Sequence, residues 1–155
     1  MKNAVLIAAA VLTVTGVTAL PTSPAHAAAD LIYTGLFNNN AIGGYDAVSY
    51  HTAGEPVRGS RDFTTEWNGA NWQFTSQENL DLFMADPEAY APQYGGYCAW
   101  AMSQGYTAKG DPNVWKIVEG KLYLNFNRDV QVQWEADIPG FIELANANYP
   151  SILEG

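Results

Sequence analysis

Two stretches of this chain alternate apolar and polar residues about a two-residue turn, and each predicts a β-hairpin. Phe63-Thr-Thr-Glu-Trp67 and Ala70-Asn-Trp-Gln-Phe74 flank Asn68-Gly69, a pair suited to a turn in which both residues take positive φ. A two-residue loop there sets Trp67 opposite Ala70, Thr65 opposite Trp72 and Phe63 opposite Phe74, so all six share one largely aromatic face. Trp115 to Val118 and Lys121 to Phe126 flank Glu119-Gly120 in the same way. That register pairs Ile117 with Leu122 and Trp115 with Leu124, and leaves Lys116 and Tyr123 on the other side.

Between and after the hairpins the apolar spacing becomes helical. Ser76 is placed to cap a helix from Gln77 to about Ala85, with Leu80, Phe83 and Met84 on its apolar side. Asp86-Pro87 starts a further short turn, with Asp as cap and Pro in the first helical position. Gly95-Gly96 leads into a helix that begins near Cys98 and ends near Gly105. Asn127 caps a helix to about Ala136, and Asp137 and Pro139 open the last one, with Phe141, Leu144 and Ala145 at helical spacing. Ala47 to His51, after the Gly43-Gly44 turn, reads as a short strand. Together these elements predict an α+β fold: one small antiparallel sheet holding both hairpins, packed against several short helices. No internal repeat or low-complexity tract emerges from the sequence.

The first residues carry an address rather than a fold. Ala4 to Leu20 is apolar, follows a weakly basic start, and leads to Pro21-Thr-Ser-Pro-Ala-His-Ala27, which ends in the small-x-small pattern of a signal-peptide cleavage site. The expected organisation is a signal peptide over 1–27, an N-terminal extension over 28–43 and a domain over 44–150, in a periplasmic or secreted protein. Cleavage leaves 128 of 155 residues and removes Lys2, so 6 basic residues face 16 acidic ones, a net charge of −10. That balance argues against nucleic acid and against a membrane surface as partners once the signal is removed. A single cysteine permits no internal disulfide, so stability must come from a core. The 9 Tyr, 6 Phe and 5 Trp supply it.

Three segments carry a family resemblance: Trp67 to Asn79, Phe83-Met-Ala-Asp-Pro-Glu-Ala-Tyr-Ala-Pro-Gln-Tyr-Gly-Gly-Tyr-Cys98, and Gly120-Lys-Leu-Tyr-Leu-Asn125. Together they resemble exported bacterial proteins with a YHS domain, a compact α+β module found in heavy-metal-transporting ATPases and beside oxygenase-type proteins. In the metal-associated members of that family, cysteines stand where this chain has Ser49, Thr75 and Asn79. The resemblance therefore implies metal handling in general but carries no ligand over to this chain.

Any soft-metal site must be built around Cys98. A thiol at a helix start lies near unpaired N–H groups, which favours its thiolate, and Met102 lies one turn further on. His51 is the only histidine left after processing, and Asp46 stands nearby in sequence. Thiolate, imidazole and thioether suit copper, so the expected ligands are Cys98, His51, Met102 and Asp46. Two other readings compete with it. One makes Cys98 the nucleophile of an enzyme, with His51 as base. The other is a non-catalytic module that binds a small ligand or a protein through Tyr90, Tyr94, Tyr97, Trp100 and Tyr106.

Overall fold

The computed structural model describes residues 30–154, so the signal-peptide reading over 1–27 lies outside the described residues. The fold is α+β, with two hairpins and six short helices. A 3-10 turn at Ala41–Gly44 leads into α1 (Ser49–Thr52), followed by β1 (Ser60–Trp67), β2 (Ala70–Phe74), α2 (Gln77–Ala85) and α3 (Pro87–Tyr90). A second 3-10 turn at Gln93–Gly96 leads into α4 (Ala99–Ser103), then β3 (Asp111–Val118), β4 (Lys121–Asn125), α5 (Arg128–Glu135) and α6 (Ile138–Glu154). The hairpins form two separate two-stranded sheets, not the single sheet expected from the pattern.

The turn registers follow the side-chain alternation. Trp67 faces Ala70 and Thr65 faces Trp72; in the other hairpin Trp115 faces Leu124 and Ile117 faces Leu122. Phe63 does not face Phe74. A register shift between Ser60 and Thr64 places Ser60 opposite Phe74 and leaves Phe63 half-buried. Ala47 to His51 is not a strand, because Asp46 turns the chain into α1: its Oδ1 accepts from Val48 N at 2.8 Å and from Ser49 N at 3.3 Å. The expected caps are present, with Ser76, Asp86 and Asn127 accepting from Asn79 N, Ala89 N and Val130 N. Met84 and Leu144, expected on apolar helix faces, are exposed.

The chain is built twice over, a repeat that its sequence conceals. Ile42-Gly43-Gly44-Tyr45 and Tyr94-Gly95-Gly96-Tyr97 share one backbone path: Ile42 (φ 51°, ψ 31°) matches Tyr94 (56°, 34°), and Gly43 (60°, 20°) matches Gly95 (62°, 15°). Each turn enters a short helix, α1 or α4. Asp46 N then donates to Val57 O and Cys98 N to Ala108 O, both at 2.8 Å. Gly59 N donates to Gly44 O just as Gly110 N donates to Gly96 O. Both hairpins pair a strand of 8 residues with one of 5 through a turn at positive φ, and both shift register at equivalent places, Ser60/Thr64 and Asp111/Trp115. A capped helix and then a second aspartate cap, Asp86 or Asp137, follow each hairpin. Unit one therefore runs from Ile42 to Tyr90, and unit two begins at Tyr94 and extends into α6.

Each unit has its own apolar cluster. Trp72, Phe74 and Phe83 centre the first, and Tyr97, Met102, Tyr123 and Trp134 centre the second. Strand β4 joins them. Leu122 and Leu124 enter the first cluster while Tyr123, on the opposite face, enters the second. Tyr50 also crosses from unit one, with its hydroxyl donating to Pro112 O at 2.8 Å and its ring edge-on to Trp115.

Residues 30–43 pack onto this frame through buried Ile32 and a Tyr33 N to Gly95 O bond of 2.9 Å. A Cβ on Gly95 would overlap the Leu31 carbonyl, in a backbone conformation at φ +62° that already disfavours side chains. Gly69, in the first hairpin turn, has nothing within 4 Å of such a Cβ. Gly69→Ala should therefore cost about 1 kcal/mol, and Gly95→Ala at least about 2 kcal/mol more, as an overpacking clash does. Urea denaturation of the two variants should resolve that difference, and equal midpoints would contradict it.

Candidate functional site

Asp46 is fully buried, and its carboxylate is the acceptor for five donors. Besides Val48 N and Ser49 N on Oδ1, its Oδ2 receives Thr75 N at 2.9 Å, Thr75 Oγ1 at 2.8 Å and Asn79 Nδ2 at 2.7 Å. Ser49 Oγ donates to Asp46 O at 2.8 Å and also accepts from Val57 N. A carboxylate offers about four lone-pair sites, so Asp46 has no free acceptor for a cation. Its role is to tie α1, the end of β2 and the start of α2 together. The expectation of Asp46 as a metal ligand does not fit this geometry. Ser49, Thr75 and Asn79 all converge on this knot.

Cys98 occupies the equivalent place in unit two. It is fully buried, stands as the N-cap residue of α4, and its Sγ lies 3.6 Å from Asn125 Oδ1. Burial pushes the thiol above its ordinary pKa, against the pull of the backbone N–H groups of Ala101, Phe126 and Trp100. These three amides correspond one for one to the Ser49, Thr75 and Val48 amides that hold Asp46. The thiolate-favouring helix start expected from the sequence is outweighed, because α4 has only 5 residues and the sulfur is out of water. Cys98 is thus a protonated thiol at neutral pH, and its polar neighbour is an amide oxygen rather than an imidazole. That removes the basis for reading it as an activated nucleophile.

The side chains that close the knot in unit one are absent from unit two. Phe126 stands for Thr75 and Val130 for Asn79, and a pocket of about 220 Å³ opens over Cys98, lined by Trp100, Ala101, Tyr106, Ala108, Phe126 and Val130. Tyr106 and Phe126 are 49% and 41% exposed at its mouth, and Trp100 meets Tyr106 edge-on at 6.5 Å. Asn125 is fully buried; its Oδ1 accepts from Trp100 N at 3.2 Å, while its Nδ2 has no partner. Asn125, Phe126 and Val130 carry no sequence signal as site residues, because only the fold brings them to Cys98.

His51 lies in α1, not at a strand end. Its ring meets Tyr90 edge-on at 5.4 Å, and its Nε2 is buried without a partner. Burial lowers its pKa, partly offset by a backbone contact with Tyr90. Met102 is fully buried one turn beyond Cys98, where it packs into the second cluster. Among the described residues no three of His, Cys, Asp and Glu gather closely enough to hold a metal ion, so Cys98, His51 and Asp46 do not form one set.

Residues 48–94 match the YHS domain. Unit one carries the match. Unit two, with the Cys98 pocket, lies almost wholly beyond it. No curated protein and no solved structure matches the chain.

Three measurements check this geometry. Asp46→Ala strands five donors and should cost about 4 kcal/mol in chemical denaturation, since each buried donor left unpaired costs about 1–3 kcal/mol before relaxation. Cys98→Asp should fold with a loss under about 2 kcal/mol, because the amide set that holds Asp46 is repeated there. Ala99→Asp, equally buried but without those amides, should lose more than about 4 kcal/mol. A Cys98→Asp variant as damaged as Ala99→Asp would refute the equivalence. Finally, the folded state disfavours protonated His51, so its contribution is present above the ordinary imidazole pKa of about 6.5 and is lost as pH falls below it. His51→Phe should flatten the fall in stability between about pH 7 and pH 5.

Proposed function

We propose that this protein is an exported, non-catalytic binding module whose small-ligand site is the Cys98 pocket. The observation that carries the reading is the contrast between the two units. One framework is sealed by Thr75 and Asn79 around Asp46, and in its copy the same positions line an open, mostly apolar pocket. Concave apolar sites with few polar groups are where small molecules bind. Export rests on the apolar run and the Ala27 signature. Intact mass of protein recovered outside the cytoplasm should match a chain beginning at Ala28, and a mass retaining 1–27 would overturn that address.

The pocket reading is tested by filling it. Val130→Phe, at a half-buried position, should abolish the amide chemical-shift changes that small aromatic probes cause at Trp100, Tyr106 and Ala108, without lowering the melting temperature by more than about 4 °C, the shift of roughly 1 kcal/mol. Unchanged binding in the filled variant would defeat the reading.

A second reading is soft-metal handling, with copper(I) as the cation. Cys98 and Met102 favour it, being buried a single helical turn apart, with Met102 N bonded to Cys98 O at 3.0 Å. Thiol and thioether sulfurs both suit Cu(I). Copper(I) titration should then show affinity falling at least tenfold in Cys98→Ser and less in Met102→Leu, with His51→Ala and Asp46 variants that still fold unaffected. Equal affinity in wild type and Cys98→Ser would eliminate the site.

A further inference from the structure

We infer that the ligand of the Cys98 pocket is a small planar aromatic carboxylate, with its ring among Trp100, Tyr106 and Phe126 and its carboxylate at Lys109. This rests on the pocket being the binding site and adds the chemistry of what it takes.

Size comes first. Dry cavities of roughly 150 Å³ bind benzene, so about 220 Å³ holds one six-membered ring with a small head group. Shape comes next. Trp100 and Tyr106 meet edge-on at 6.5 Å, and Phe126 lines the same pocket. Aromatic walls at mixed angles favour a flat ring through edge and face contacts. The floor offers little to a polar head group, because the Cys98 thiol is engaged with Asn125 Oδ1.

Charge at the mouth decides the head group. Lys109 follows Ala108, a wall residue, and its Nζ lies 5.6 Å from the centre of the Phe126 ring. Its side chain is exposed, and the only ion pair among the described residues is Lys116 with Glu135. In a chain with 16 acidic residues, this ammonium pairs with no carboxylate among the described residues. It rests over the ring of Phe126 instead, and although its side chain lines the neighbouring cleft beside Gly110 and Asp111, that contact keeps the ammonium next to one wall of the pocket. A ring seated against Phe126 carries a carboxylate substituent toward that ammonium. In unit one the corresponding position is Arg58, whose guanidinium likewise lies over a ring, Tyr45, but whose Nη1 also donates to Gly43 O at 2.8 Å. The cation without a hydrogen-bonded partner among the described residues and the open pocket therefore occur together in the same unit.

The experiment is an amide chemical-shift titration of the full-length processed chain with benzoate and with benzyl alcohol, its neutral counterpart of similar size. Benzoate should move Trp100, Tyr106, Ala108 and Val130 and bind about three- to fivefold more tightly than the alcohol, the gain expected from one exposed ion pair. Lys109→Ala should erase that preference while leaving the alcohol's affinity unchanged, and added salt should reduce it in the wild type. Equal affinity for the two probes, or a benzoate preference that survives Lys109→Ala, overturns the carboxylate assignment and leaves the pocket reading standing. Failure of both probes to move these amides, or shifts confined to other parts of the chain, overturns the pocket reading as well.

Discussion

The buried Asp46 carboxylate is the constraint around which the first half of the chain is arranged. A carboxylate out of water is tolerated only when its oxygens are surrounded by donors. Here the donors come from three separate places: the start of α1, Thr75 just after β2, and Asn79 in the first turn of α2. Removing any one of them leaves the buried carboxylate short of a donor, so the helix, the hairpin and the second helix are fixed relative to one another by a single side chain. The aromatic cluster of Trp72, Phe74 and Phe83 then packs beneath elements whose positions are already set.

The second unit keeps the framework and changes the occupant. Sulfur stands where the carboxylate stood, facing the same set of amides, and apolar Phe126 and Val130 replace the donors that a thiol does not need. A neutral group removes the requirement for five partners, and the space those partners filled becomes a pocket. The electrostatic demand in one copy and its absence in the other explain why the first is closed and the second open.

What the sequence reveals and conceals follows from the range of each interaction. Both hairpins were legible because Asn68-Gly69 and Glu119-Gly120 set their registers locally, and the caps Ser76, Asp86 and Asn127 were legible for the same reason. The register shift that displaces Phe63 was not, since it depends on how Gly59 meets the backbone of Gln73. Nor was α1, which owes its start to Asp46, a residue held by partners about thirty positions away. The repeat is hidden in the sequence because the positions that carry it are chiefly glycines, caps and turn residues, while the chemistry at its centre differs, Asp46 in one unit and Cys98 in the other. Of the site, the helical spacing of Cys98 and Met102 could be read directly. Asn125 and the pocket walls could not, because they reach the thiol only through the pairing of β3 with β4.

Strand β4 has a consequence for how the molecule comes apart. Four consecutive residues, Leu122 to Asn125, are buried, and neighbouring side chains serve different clusters. Neither half can therefore lose its core while the other remains intact, because the strand between them belongs to both. Two units of similar design would ordinarily melt as two steps. Here they are joined into a single cooperative unit, in which the amides of β4 exchange with solvent only when the whole molecule opens.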